Sequence, residues 1–104
     1  MVQSASRIAI IFGIDVYEIE FLDDVLKNDI PALPVTIKKR IQRAIRERLT
    51  ADPIGLGRPL RFSLKGHRRL RVGNYRIIYR IEQSERIVLI VSIKHRKNAY
   101  EAMA

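Results

Sequence analysis

The residues of this chain that could do chemistry are arginines, and their spacing says more than their number. From position 68 the sequence reads Arg68-Arg69-Leu70-Arg71-Val72-Gly73-Asn74-Tyr75-Arg76-Ile77-Ile78-Tyr79-Arg80. A two-residue hairpin loop at Gly73–Asn74 would set Val72 against Tyr75, Arg71 against Arg76, Leu70 against Ile77 and Arg69 against Ile78. Opposed residues share a sheet face. One face then collects Leu70, Val72, Tyr75, Ile77 and Tyr79, which is the core side. The other collects Arg69, Arg71, Arg76 and Arg80. Like charges directly opposed destabilise a sheet, so Arg71 against Arg76 makes little sense as a stability device. It makes sense as an anion site, because guanidinium groups bind phosphate through paired, charge-assisted hydrogen bonds. For a single arginine the ordinary expectation is a side chain splayed into water. Four on one face carry the electrostatic footprint of nucleic-acid binding.

The other reactive types are few. His95 has an ordinary pKa near neutrality and sits in the basic run Lys94-His95-Arg96-Lys97, which makes it the candidate general acid or base. The alternative for His95 is a solvent-exposed bystander, and His67, just before the arginine strand, is a weaker candidate. Lys65 and Lys97 are expected to position phosphate rather than catalyse. No carboxylate occurs between Pro53 and Ile81. Hard divalent ions want clustered oxygens, so neither a metal nor a cofactor is expected. The chain has no cysteine, no Gly-rich phosphate loop and no Ser/His/Asp arrangement. Cleavage of RNA by its own 2′-OH would need only a base, cations around the charged phosphorane, and an acid for the 5′-oxygen.

These side chains need elements to place them. Val16–Phe21 alternates Tyr17, Ile19 and Phe21 with Glu18 and Glu20, a half-buried strand. Leu22, Val25, Leu26 and Ile30 are at helical spacing, with Asp23 or Asp24 as the expected cap and Pro31 ending the turn. Pro34 suits a first helical position. After it Ile37, Ile41, Ile45 and Leu49 recur every four residues beside Ala44, with Lys38, Lys39, Arg43 and Arg46 on the opposite side, predicting a helix of about four turns. A loop through Asp52, Pro53, Gly55, Gly57 and Pro59 follows. Leu60, Phe62 and Leu64 alternate with polar residues and read as strand. Arg68–Val72 and Tyr75–Glu82 form the hairpin, Gln83-Ser84-Glu85 a second turn, and Arg86–Ile93 a central strand apolar on both faces. The order β-α-α-β-β-β predicts an α+β fold, with two helices on one face of a small, mostly antiparallel sheet.

The chain has 104 residues, enough for one core and too few for two. Nearly half are apolar, which excludes disorder as the ground state. The net charge is +9, and it is uneven. Residues 1–30 are acidic on balance. Residues 58–80 carry Arg58, Arg61, Lys65, Arg68, Arg69, Arg71, Arg76 and Arg80 with no acid. A charge so concentrated repels itself and points to a polyanionic partner. The apolar run Ile8–Ile14 follows Arg7, but its seven residues fall well short of the roughly 20 that span a bilayer, and no A-x-A-like site follows. Residues 1–15 are therefore expected to be an extra strand or a poorly ordered extension, residues 16–104 one domain, and the location cytoplasmic without membrane contact.

Taken together, Tyr17–Phe21, the stretch from Pro34 to Leu49-Thr50-Ala51-Asp52-Pro53, Leu64-Lys65-Gly66 with Leu70–Tyr79, and the tail Ile93–Tyr100 resemble the RelE/ParE superfamily of bacterial type II toxin–antitoxin toxins. The resemblance covers about residues 16–101, and its most specific part is the hairpin. It implies a toxin with an acidic antitoxin partner. In the RelE branch such proteins cut mRNA in the ribosomal A site without a metal; in the ParE branch they poison DNA gyrase. By motif position it makes Arg76 and Arg96 phosphate contacts and transition-state stabilisers. Tyr100 would stack on a base or take part in proton transfer, or else plug the end of the sheet. Arg69 and Arg71 fall where that branch surrounds the scissile phosphate, and Arg68, Arg80, Lys65, Lys94 and Lys97 complete the expected RNA-binding set. The expectation is therefore a ribosome-dependent mRNA endonuclease. The alternatives are a gyrase poison and a non-catalytic RNA-binding module, which would lack the exposed stacking aromatics usual in sheet-based RNA readers.

Overall fold

The computed structural model describes residues 17–99. They build one five-stranded sheet in the order β1-β5-β4-β3-β2. Strand β1 spans Glu18–Phe21 and pairs in parallel with β5, Ile87–His95. Strands β3 (His67–Val72), β4 (Tyr75–Glu82) and β5 form an antiparallel meander, and the two-residue β2 (Arg58–Pro59) adds to β3. Because β1 lies on one edge and β2 on the other, the chain between them must cross the sheet. It does so as helix, over one face. The expected α+β fold is the observed one, and the parallel β1–β5 pair follows from that crossing.

The crossing segment starts with a wide π-type turn at Val25–Asp29. Helix α1, Val35–Ala44, continues into a second such turn at Ile45–Leu49. Ile41, Ala44, Ile45 and Leu49 are buried against Ile19, Phe21, Leu70, Val72, Ile77, Tyr79, Val88, Ile90 and Ile93 from the sheet. Strand β5 is central, and Ile87, Val88, Leu89 and Ile90 are buried whichever face they point to. Two local expectations differ. Pro34 stands at the N-cap of α1, one position before the first helical residue. Asp24 occupies the N-cap of the first turn without a side-chain capping bond.

Residues 60–65 are not strand. Phe62–Leu64 is a 3₁₀ turn, with Phe62 at φ 57°. Their alternation has no core to face, since Arg61, Phe62 and Lys65 are all exposed. Periodicity without burial carries no strand-forming energy.

Two fastenings hold the frame. Strand β1 ends at Phe21, leaving the edge of β5 without a strand beyond Ile90. The buried carboxylate of Asp29 takes over there, accepting from the Ile93 N–H at 2.9 Å and from the Lys94 ammonium. On the other side Tyr79, wholly buried, donates its hydroxyl to the Pro53 carbonyl at 2.6 Å. Burial is the main cause raising its phenol above the ordinary 10.0. This contact holds helix α2, Pro53–Leu56, whose N-cap Asp52 accepts from the Gly55 N–H at 2.9 Å. A Cβ at Gly57 would come within 1.9 Å of the Tyr79 hydroxyl, so the close approach requires glycine.

Candidate nucleic-acid interface

The hairpin has the register expected from its sequence. Arg71 opposes Arg76, Leu70 opposes Ile77, Arg69 opposes Ile78, and His67 opposes Arg80. Gly73 has φ 59° and Asn74 does not have a positive φ, the pattern of a II′ turn whose twist matches that of the strands. Arg69, Arg71, Arg76 and Arg80 therefore share the face turned away from the helices. That face is not arginine alone: Ile78, Leu89 and Ser92 lie on it, buried yet outside the main core cluster, and Glu20 of β1 stands beside Leu89 in register, so the cations flank a mixed floor that carries a carboxylate.

Charge concentrates at the tip of the hairpin. The Arg76 guanidinium donates to the Gly73 carbonyl at 3.2 Å and to the Tyr75 carbonyl at 3.0 Å. The Arg96 N–H donates to the Asn74 carbonyl at 2.7 Å, carrying the tail that follows β5 against the turn. From the helix side, Arg40 reaches the same turn: a Cβ at Gly73 would lie 3.1 Å from its Nη1. Arg40, Arg43, Arg48 and Arg71 line a cleft of about 250 Å³ there, with Glu47 as its one acid. Arg71, Arg76, Arg96 and Arg40 thus come from four separate segments to one turn. Arg40 was not among the expected site residues. Its signal is its spacing, three residues after Ile37 and four before Ala44, which turns it toward the sheet rather than to the far side of α1.

Other expected residues are placed elsewhere. Arg68 lies on the helix-bearing side, where its guanidinium donates to the carbonyls of Ile54 and Gly57. Lys94 opposes Arg76 in register, but its ammonium is engaged by Asp29. Arg80 lies 3.8 Å from the Glu82 carboxylate. Lys65 and Lys97 are exposed. Tyr100 and the extension 1–15 fall outside the described residues.

The two histidines lie on opposite faces of the sheet. His95 pairs with Tyr75 and packs against it edge to face at 5.4 Å, on the face opposite Arg76. Its Nδ1 accepts from the Lys97 N–H at 3.2 Å. His67 is the histidine that shares the arginine face. Its Nδ1 lies 3.3 Å from the Leu64 carbonyl, and burial, with the nearby Arg80 charge, lowers its pKa below the ordinary 6.5. At four residues from Arg71 along β3, it stands about 13 Å from the tip. The tip by itself can grip a phosphate and stabilise added negative charge on it. Among the described residues no three His, Asp or Glu side chains gather as a metal site. No helix among them is long and apolar enough to cross a membrane.

Residues 19–100 match a family model described as the ParE toxin of the type II toxin–antitoxin system parDE. Two curated relatives come from Mycobacterium tuberculosis. Toxin RelG is 32% identical over 74 residues, covering 71% of this chain and 85% of its own. Toxin RelE is 33% identical over 73 residues, covering 70% and 75%. Among solved structures, the RelBE2 toxin–antitoxin complex of the same organism matches with a TM-score of 0.73 at 31% identity, over 78% of this chain and 99% of that one. The archaeal RelE–RelB complex from Pyrococcus horikoshii OT3 matches in fold, with a TM-score of 0.62 at 24% identity, over 80% and 98%.

Proposed function

This chain belongs to the RelE/ParE superfamily of toxins of type II toxin–antitoxin systems, and from that premise we propose that it is a metal-independent endoribonuclease that cuts mRNA in the ribosomal A site. The observation that carries this reading is the convergence of Arg71, Arg76, Arg96 and Arg40 on the Gly73–Asn74 turn. Such a cluster is unfavourable for folding and favourable for a phosphodiester lying across it. Arg76 and Arg96 stabilise the phosphorane, and Arg71, Arg69 and Arg40 hold the flanking phosphates. Proton transfer is assigned to Tyr100 ahead of His95, because the His95 ring packs on the far face. The domain is the single unit 16–104, it acts in the cytoplasm, and its inhibitor is an acidic antitoxin that neutralises the basic surface, as the RelBE relatives form complexes with theirs.

In a reconstituted translation reaction the protein should stall ribosomes on cut mRNA, and Arg76→Ala should abolish the cuts. One observation favours a second reading: the matching family model is that of the ParE toxin. Intact mRNA together with gyrase-dependent double-strand breaks in DNA would establish that reading. Binding of RNA without cutting would leave a non-catalytic module.

A further inference from the structure

The loop between β2 and β3 holds the most exposed large apolar side chain among the described residues. Phe62 is 92% exposed, against 68% for Val35 and 44% for Ile54. It is also the only exposed aromatic ring among them: Tyr17, Phe21 and Tyr79 are buried, and Tyr75 is half-buried against the core. Its backbone is in the left-handed region, φ 57°, where a bulky residue is a true outlier. The conformation is held by a 3₁₀ turn, with the Leu64 N–H on the Arg61 carbonyl (3.1 Å) and the Lys65 N–H on the Phe62 carbonyl (3.0 Å). Strain of this kind persists where the surroundings over-determine it, and it gathers at ligand clamps. Here it lifts a ring off the protein into water, the opposite of what burial favours.

The surroundings of the ring choose its ligand. Arg61 and Lys65 flank it, both exposed, and the loop runs into His67, the register partner of Arg80. The loop that carries Phe62 therefore enters β3 at the His67 end of the arginine face, and the Gly73–Asn74 turn closes the other end, roughly 17 Å along the strand from His67. No acid occurs between residues 53 and 81. An exposed aromatic beside cations that track a phosphate backbone is the combination that binds single-stranded nucleic acid, the ring taking a base and the cations the phosphates.

We propose that Phe62 is a base-stacking residue, which receives an unpaired base of the RNA strand whose phosphates run along the arginine face. This rests on the reading of the protein as an RNA-directed toxin and adds the contact that would hold the strand in register.

The chain contains no tryptophan, so Phe62→Trp introduces a single fluorophore at the site. With a short oligoriboadenylate as probe at fixed salt, stacking quenches that fluorescence on binding. Phe62→Leu, whose exposed position leaves the fold unchanged by circular dichroism, loses about 5- to 150-fold in affinity. Scanning one abasic site along the oligonucleotide finds a position that weakens wild-type binding by a similar factor and leaves the leucine variant unaffected. Equal affinity of wild type and Phe62→Leu, with binding still lost on Arg76→Ala, overturns the stacking proposal and leaves the RNA reading intact. Absence of RNA binding by the wild-type chain, together with uncut mRNA in the translation reaction, overturns both. Weakened antitoxin binding by Phe62→Leu with unchanged RNA binding overturns the proposal in favour of a protein contact.

Discussion

Arg71 and Arg76 are direct partners across the β3–β4 hairpin, two guanidinium-bearing strands held in register by a turn that admits no slip. The pair opposes folding and serves binding, so the two properties should respond in opposite directions to the same substitution. Arg71→Glu replaces a repulsive cross-strand pair by an attractive one. It should raise stability by about 0.2–1 kcal/mol, read as a higher midpoint in urea. RNA affinity and mRNA cleavage should fall in the same variant. A lower midpoint would mean that Arg71 has a structural role at the tip.

Asp29 should be needed for folding rather than for activity. Its carboxylate accepts from a buried edge amide, Ile93, and pairs with Lys94. Asp29→Ala leaves that N–H without an acceptor and should destabilise the protein by about 1–3 kcal/mol. Asp29→Asn keeps an acceptor oxygen and should lose less. Amide exchange at Ile93 should accelerate in the alanine variant well before global unfolding.

Gly57 and Tyr79 form a paired test. Gly57→Ala places a methyl group where the Tyr79 hydroxyl lies and should be strongly destabilising. Tyr79→Phe alone should cost about 1 kcal/mol through the lost bond to the Pro53 carbonyl. Combined, the two should cost less than their sum, because removing the hydroxyl relieves the closest contact, although the ring Cζ, 2.7 Å from the added Cβ, must still shift.

His67 should make stability depend on pH. Burial, then the Arg80 charge, hold its pKa below 6.5, so between the folded and unfolded values the unfolded chain binds more protons. Stability is then fully present above pH 6.5 and is lost as pH falls through the folded value. Thermal midpoints measured from pH 7.5 to 5 should decline for wild type more steeply than for His67→Gln. Parallel slopes would remove His67 from the account.

The sequence went far on the parts of this molecule that obey local rules. The β4 alternation, the Gly73–Asn74 turn and the absence of acid from residues 53–81 together placed Arg69, Arg71, Arg76 and Arg80 on one face, because side-chain direction in a hairpin is set by a period of two and by its turn. The four-residue recurrence from Ile37 to Leu49 likewise identified the helix that covers the other face. What tertiary structure alone decided is which charges remain available for a ligand. Arg68 and Lys94 have the same composition signal as Arg71, yet one is engaged by carbonyls of α2 and its C-cap, 11 to 14 residues away, and the other by Asp29, 65 residues away. Arg40 joins the tip only because α1 crosses the sheet there, and Phe62 leaves its strand-like pattern because none of the described elements covers that loop. Periodicity records where a side chain points along its own element. Whether it meets a carboxylate, a carbonyl or open water depends on elements distant in the chain, and those are brought together only by burying the common core.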